Sequence, residues 1–393
     1  MFRGLAMDSL EKLRLLAPEA DLEPAEEVLP NGRRTGPAAS PALPGCLHQA
    51  HTPHGPIVLL KGLLSNACER NCLYCPFRAG RDFRRASFAP DELAAVFHRL
   101  YQAGLAQGLF LSSGLVGGGV RTQDQIIATA EILRRKYRFT GYLHLKIMPG
   151  AEPEQIRQTM LLADRVSINL EAPTPERLAL LAPRKDFLEE LFRPLRQVEE
   201  VRREVGGRPG PWKSLHRSGP SLSTQFVVGP AGESDEELLR TTAYLFRHLH
   251  LARAYFSAFR PIPDTPLEAR PAENPRRERR LYQASYLLRD YGFSVEELPL
   301  DKNGRLPLEE DPKLAWARRH LLESPVEVNT ASRQELLRVP GIGPRLADRL
   351  LAARRLGRLR DLQDLGKLGI PVARAAPFIL LDGRRPACQP PLL

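Results

Sequence analysis

From residue 55 onward the chain alternates between two apolar rhythms. Short, nearly continuous runs of Leu, Ile, Val and Phe occupy 57–64, 108–114, 142–147, 166–171, 223–229 and 254–259, the pattern of strands buried on both faces. Between them lie longer segments with helical spacing: Leu93, Val96, Phe97 and Leu100; then Ile126, Ala130 and Leu133; then Ile156, Met160 and Ala163. Helical stretches follow over 174–205, around Leu238, Thr242, Leu245, Phe246 and Leu249, and over 274–290. Strands that alternate with helices predict a parallel sheet built from six strand-helix units, an α/β architecture.

The flanks break this rhythm. Residues 1–54 open with a short amphipathic helix and continue rich in Pro and Gly, which predicts an irregular N-terminal extension. The basic segment 206–217, with Gly206, Gly207, Pro209 and Pro211, reads as a loop inserted between strands. Residues 55–298 form the main domain, 299–325 a Pro- and charge-rich linker, 326–383 a second domain and 384–393 a tail. The second domain opens with a capping box, Ser332 to Glu335, and a short helix. A Pro340-Gly-Ile-Gly343 turn and a helix with Leu346, Leu350 and Ala353 on one face follow. A weaker echo over 362–379 contains Gly369-Ile-Pro-Val but lacks the second glycine.

Charge adds a partner class. The 57 Lys and Arg against 46 Asp and Glu give a net charge of +11 and a pI near 9.7, which favours an anionic macromolecule. No run reaches the ~20 apolar residues that span a bilayer, and few, clustered cysteines suit a reducing compartment, so a cytoplasmic location is expected.

The chemistry concentrates at 66–77, Asn-Ala-Cys-Glu-Arg-Asn-Cys-Leu-Tyr-Cys-Pro-Phe, where Cys68, Cys72 and Cys75 are three of the chain's five cysteines. Thiolates at this spacing converge on a soft metal centre, and three of them leave one iron of a four-iron cluster without a protein ligand. A closed zinc site is the alternative, with the fourth ligand drawn from Cys46, His48, His51 or His54.

This spacing, with Tyr74 just before the last cysteine, resembles the radical S-adenosylmethionine (SAM) superfamily. The resemblance implies a partial (β/α)6 TIM-like barrel, a 4Fe-4S cluster on Cys68, Cys72 and Cys75, and S-adenosyl-L-methionine chelated to the open iron. It also implies cofactor contacts at Tyr74, at Ser112, Ser113 and Gly114 after the second strand, at Asn169 and Glu171 after the fourth, and at Gly229, with Glu233 behind it, after the fifth. Lys146, on the third strand, is placed to face the bowl. The second domain resembles the helix-hairpin-helix motif, a small all-α domain in which Gly341 and Gly343 let the backbone approach a phosphate and Arg345 and Arg349 add charge. Together with 141–146, 163–171, 181–185, 223–225 and 255–259, these features are similar to a family of DNA modification or repair radical SAM proteins, often accompanied by a uracil-DNA-glycosylase-like partner. DNA is then the implied substrate and an external donor the implied source of electrons. RNA, or a non-catalytic iron-sulfur component of a repair complex, are the alternatives.

Overall fold

The structure is a computed structural model and describes residues 8–19, 47–52, 55–205 and 219–386. The chain divides into two compact units, Met1–Glu233 with Tyr244–Pro275, and Ser234–Ala243 with Arg276–Leu393.

The first unit is built on a seven-stranded sheet: β1 (Leu47–Thr52), β2 (Gly55–Leu63), β3 (Gly108–Ser112), β4 (Tyr142–Lys146), β5 (Arg165–Ser167), β6 (Ser221–Val228) and β7 (Arg253–Ala258). Spatial order follows chain order, β2 to β7 run parallel, and β1 pairs antiparallel with β2. The sheet curls into a half-barrel. All six strands of the apolar runs are present, and so is one more: β1 lies within the stretch read as irregular. Leu-His-Gln-Ala-His-Thr has no strand alternation of its own, and the strand is set by six backbone pairings, Leu47↔Leu60 to Thr52↔Gly55. Of the residues weighed as a zinc ligand, His48 is buried in this strand; Cys46 and His54 lie outside the described residues, as does the basic loop 206–217.

Connecting helices follow the helical spacing: α1 (Ser9–Glu19), α2 (Pro90–Gln102), α3 (Gly118–Glu131), α4 (Pro153–Leu162), α5 (Pro175–Ala179), α6 (Arg193–Val205), α7 (Asp235–His248) and α8 (Pro275–Asp290). Proline opens α2, α4, α5 and α8, where its missing N–H costs nothing. Helix α1 buries Leu13 and Leu16, and its Ser9 and Lys12 both reach Glu92 of α2, at 2.7 and 2.6 Å. After α3 the helix widens into a π turn over Ile132–Lys136. This turn drives Arg134 inward to donate to the carbonyls of Leu162, Phe139 and Gly141 and to pair with Asp164 at 3.0 Å.

The second unit contains the start of α7, α8, α9 (Pro312–His320), α10 (Arg333–Arg338), α11 (Pro344–Leu356), α12 (Leu362–Lys367) and α13 (Val372–Ala375). Leu336, Leu337, Ile342, Ala347, Leu350, Leu365 and Ile370 form its core. It is not purely helical as expected. Strands β8 (Val326–Glu327) and β9 (Ile379–Leu380) pair in parallel and bring the two ends of the hairpin region together. Among the described residues no helix is long and apolar enough to cross a membrane.

Candidate active site

The cysteine loop leaves the carboxyl end of β2 and is held by its own neighbours. Asn66, fully buried, accepts from the Ala86 N–H at 2.8 Å and donates to the Arg84 carbonyl at 3.1 Å. Arg85 donates to four carbonyls, those of Asn66, Phe77, Arg78 and Arg81, at 3.0 to 3.3 Å. Glu69 accepts from Gly117 and Gly118 at 3.1 and 3.0 Å, which ties the loop to the start of α3. On the far side Leu73 donates to the Leu181 carbonyl at 2.7 Å, Arg70 donates to the Arg184 carbonyl at 2.6 Å, and Arg70 also pairs with Glu190. These bonds pair the loop's backbone groups with side chains and backbone on both sides of it.

Inside this frame Cys72 is buried and Cys68 and Cys75 are half-buried. Burial pushes the Cys72 and Cys75 thiols up; nearby Lys185 pulls in the opposite direction on both, and the Phe77 N–H does so on Cys75. The Arg70 N–H lies 3.4 Å from Cys68 Sγ. Three thiols in electrostatic contact with one another, offset by Lys185 and, at Cys72, by Arg70, form a soft donor set in a largely buried setting. Thiolates bind iron, so the residues fit an iron-sulfur cluster. Among the described residues no three His, Cys, Asp or Glu side chains converge on a single metal ion. A 4Fe-4S cube attaches each thiolate to its own iron, so such convergence is not required.

Beneath the thiols lies a buried polar group that only the fold assembles. Glu171 sits in the left-handed region at φ 67°, held by its N–H to the Gln225 carbonyl at 2.9 Å and by its own carbonyl accepting from Val227 at 2.8 Å. Such backbone strain persists where the surroundings over-determine it. The Glu171 carboxylate accepts from Lys185 Nζ at 3.1 Å and from the Tyr74 hydroxyl. Burial, then Glu171 and the thiols, push the Tyr74 phenol well up, so it stays protonated and donates. Burial works to lower the Lys185 ammonium, but Cys72 and Glu171 outweigh it and keep Lys185 charged. Lys185 is absent from the residues that the sequence singled out as a site; its only signal was its place in the run 181–185. Arg85, which staples the loop, carried no signal.

The other strand-end residues sit as follows. Ser112 ends β3 fully buried, Ser113 Oγ donates to the Gly114 carbonyl, and Gly114 donates to the Ser65 carbonyl at 2.7 Å. A Cβ on Gly114 would lie 2.2 Å from the Ala67 carbonyl and 3.2 Å from Cys68 Cβ, so this glycine allows β3 to touch the cysteine loop itself. Asn169 donates to Gln225 at 3.1 Å, and Lys146 is buried at the end of β4. Gly229 has φ 109°, its N–H faces Glu233, and Glu273 occupies the space where a side chain would go.

In the second unit Gly341 and Gly343 form the turn between α10 and α11. Gly341 has φ 87°, and a Cβ there would lie 2.8 Å from Pro371 Cγ. Gly343 caps α11, and Ile342 is fully buried beneath the turn. Lys313 donates to the Ile342 carbonyl at 2.6 Å and lies 4.6 Å over the Tyr291 ring, while the Tyr291 hydroxyl packs on Gly343. Arg345 is exposed at the start of α11, whereas Arg349 donates to the Leu368 carbonyl of the second hairpin at 2.9 Å. Several other arginines of this region are structural: Arg354 donates to Val328 and Ala331, Arg333 pairs with Asp348, and Arg338 stacks on Phe293 at 3.7 Å.

Residues 63–245 match the model of the Radical SAM superfamily, and residues 323–369 match the Helix-hairpin-helix motif. Among solved structures, the FeFe-hydrogenase maturase HydG from Carboxydothermus hydrogenoformans is similar at 14% identity over 58% of this chain and 51% of that one, TM-score 0.44. Methylornithine synthase PylB is similar at 11% identity over 58% and 61%, TM-score 0.47. The radical S-adenosylmethionine methyltransferase TsrM from Kitasatospora setae is similar at 17% identity over 53% and 38%, TM-score 0.40. The chain thus spans less than two thirds of the length of each of these three. No curated protein matches it. The chain carries a Radical SAM superfamily domain over residues 63–245 and a helix-hairpin-helix motif over residues 323–369, and the superfamily implies a 4Fe-4S cluster and S-adenosylmethionine as cofactors.

Proposed function

We propose that this protein is a radical SAM enzyme that modifies or repairs a nucleotide of DNA. The observation that supports the reading best is the presence, in one chain, of three cysteines at the carboxyl end of a half-barrel strand and a Gly-x-Gly hairpin turn with an exposed arginine at its mouth.

Cys68, Cys72 and Cys75 hold the cluster. When bound, the cluster and S-adenosylmethionine supply a one-electron cleavage that yields methionine and a 5′-deoxyadenosyl radical. The protein's part is to hold and shield. Asn66 and Arg85 fix the loop; Lys185 offsets thiolate charge; Glu171 keeps Lys185 and Tyr74 oriented toward the thiols. Tyr74, Ser112, Ser113, Gly114, Lys146, Asn169, Glu171 and Gly229 surround the cofactor.

Gly341 and Gly343 let the turn approach a backbone phosphate, and Arg345 with Arg349 adds charge there. Such contacts position a nucleic acid without reading its sequence. A base inside a duplex must be flipped out to meet a radical, at a few kcal/mol, less at a damaged or mismatched step. Lesions are therefore the preferred sites. A uracil-DNA-glycosylase-like partner and an external electron donor complete the system.

The test is anaerobic reconstitution with reductant. The chain is expected to take up a 4Fe-4S cluster and to release 5′-deoxyadenosine faster when DNA is added. Baseline release with DNA and with structured RNA, together with a rise on adding peptides, would overturn the substrate. A rise with RNA alone would move the reading to RNA.

A further inference from the structure

The turn between α10 and α11 rests on a buried ammonium. Lys313, on α9, is 9% exposed; its Nζ donates to the Ile342 carbonyl at 2.6 Å and lies 4.6 Å from the centre of the Tyr291 ring. The charged and titratable groups that face it are Asp311 at the start of its own helix, Arg338 of α10, Arg374 of α13 and Tyr291 after α8. The acid among them is committed elsewhere: Asp311 pairs with Arg374 at 2.6 Å and caps the Leu314 N–H at 3.0 Å. Arg338 pairs with Glu297 at 2.8 Å, and burial holds the Tyr291 phenol above its usual range, so it adds no charge. Lys313 is thus a buried cation that faces two others and, among the described residues, pairs with no carboxylate. An ammonium so placed relieves the cost of burial by releasing its proton. Burial brings Lys313 down to about 7.

The group it holds has a second end. The Ile342 carbonyl and the Gly343 N–H belong to one trans peptide, so they point in opposite directions. Lys313 therefore grips the carbonyl end of the peptide whose N–H end opens the mouth of α11. That N–H has no partner among the described residues, whereas the Gly343 carbonyl accepts from Ala347 at 2.8 Å. A cation on the carbonyl oxygen polarises the peptide and makes its N–H a stronger donor. An anion on that N–H favours the charged form of the lysine in turn. Coupling of this kind is reciprocal.

We propose that Lys313 is a positioning residue that couples phosphate binding at the hairpin turn to the uptake of a proton. Its amine takes the proton from the buffer when a DNA phosphate settles on the Gly343 N–H, and returns it when the phosphate leaves. Only the identity of the anion rests on the nucleic-acid reading above. Above about 7 the free chain has lost the Lys313 proton while the complex retains it, so affinity falls as pH rises from 7 to 9 and is level below that window. Arg345 stays charged throughout and gives no such slope.

The probe is a short DNA duplex of mixed sequence, titrated calorimetrically into the full chain at pH 7, 8 and 9, and at pH 8 in both HEPES and Tris, whose ionisation heats differ. The heat is expected to differ between the two buffers as an uptake of about half a proton per complex requires, and affinity to fall about tenfold from pH 7 to pH 9. Lys313→Met is expected to bind at every pH as the parent does at pH 9, with the same heat in both buffers. Lys313→Arg, charged throughout, is expected to bind at pH 9 as the parent does at pH 7. The parent's own buffer dependence needs no variant, so the test holds where a variant fails to fold. Arg345→Ala weakens binding at each pH and leaves the proton uptake unchanged. Equal heats in the two buffers for the parent, or an uptake that survives Lys313→Met, would overturn the inference and leave the nucleic-acid reading in place. A duplex that binds at no pH would overturn both. Proton-linked binding with no DNA-dependent release of 5′-deoxyadenosine would support the role of Lys313 and overturn DNA as the substrate.

Discussion

Around Cys72 the functional side chains come from 66–75 and, after a long stretch of sheet and helix, from Glu171 and Lys185. Around the hairpin turn, Gly341, Gly343 and Arg345 come from five consecutive positions. The first site exists only where the half-barrel has closed the distance; the second is a property of a local turn that needs only a core to press it into shape. A change in the sheet unit should therefore act on cluster, cofactor and stability together, and a change in the turn on one binding event.

The largest expected effect is from Cys72→Ala. Cluster absorbance and 5′-deoxyadenosine release should vanish, while DNA affinity, measured by filter binding, stays within about twofold because the residues that shape the hairpin turn all belong to the second unit. Loss of DNA binding with the cluster would break the comparison.

Next is Lys185→Met. It leaves Glu171 as a buried carboxylate without its cation, which costs about 3–5 kcal/mol. Thermal unfolding of the sheet unit should fall by roughly ten degrees, and reconstituted cluster should be lost faster. A variant as stable as the parent would show that Tyr74 alone satisfies Glu171.

Third is pH. Burial brings the Lys313 ammonium down to about 7 from the usual lysine value of 10.5. Between these values the unfolded chain binds the proton that the folded chain has released, so stability of the hairpin unit should rise with pH from 7 to 9, by about 2 kcal/mol. Hydrogen exchange at the amides of Ile342 and Ala347 reads this, and Lys313→Met should flatten the dependence.

Smaller effects belong to the turn itself. Gly341→Ala puts a side chain at φ 87° against Pro371, at about 1–3 kcal/mol, and should weaken DNA binding about tenfold with cluster content unchanged. Arg345→Ala should weaken binding a few-fold for all sequences and reduce the salt slope by about one.

Much of this was legible from residue order. Apolar periodicity located the six parallel strands because a strand buried on both faces has no other way to be written. The cysteines and the Pro340-Gly-Ile-Gly343 turn were visible because their spacing is short and their residue types rarely coincide by chance. The fringes were harder to read. The β1 strand, Leu-His-Gln-Ala-His-Thr, owes its conformation to backbone bonds with β2, which no side-chain pattern announces. The arginines of the second unit looked alike in the sequence, yet Arg338 stacks on aromatic rings, Arg354 caps carbonyls and Arg345 faces solvent.

By itself, then, the sequence determined the class of fold, the clustered thiols and the presence of a Gly-x-Gly hairpin turn, because each is encoded by neighbours a few positions apart. Only the tertiary structure decided that Lys185 sits beside the cysteines and that Glu171 is held in a left-handed conformation to pair with it. Those relations depend on strand register and sheet curvature, and no local spacing in the chain records them.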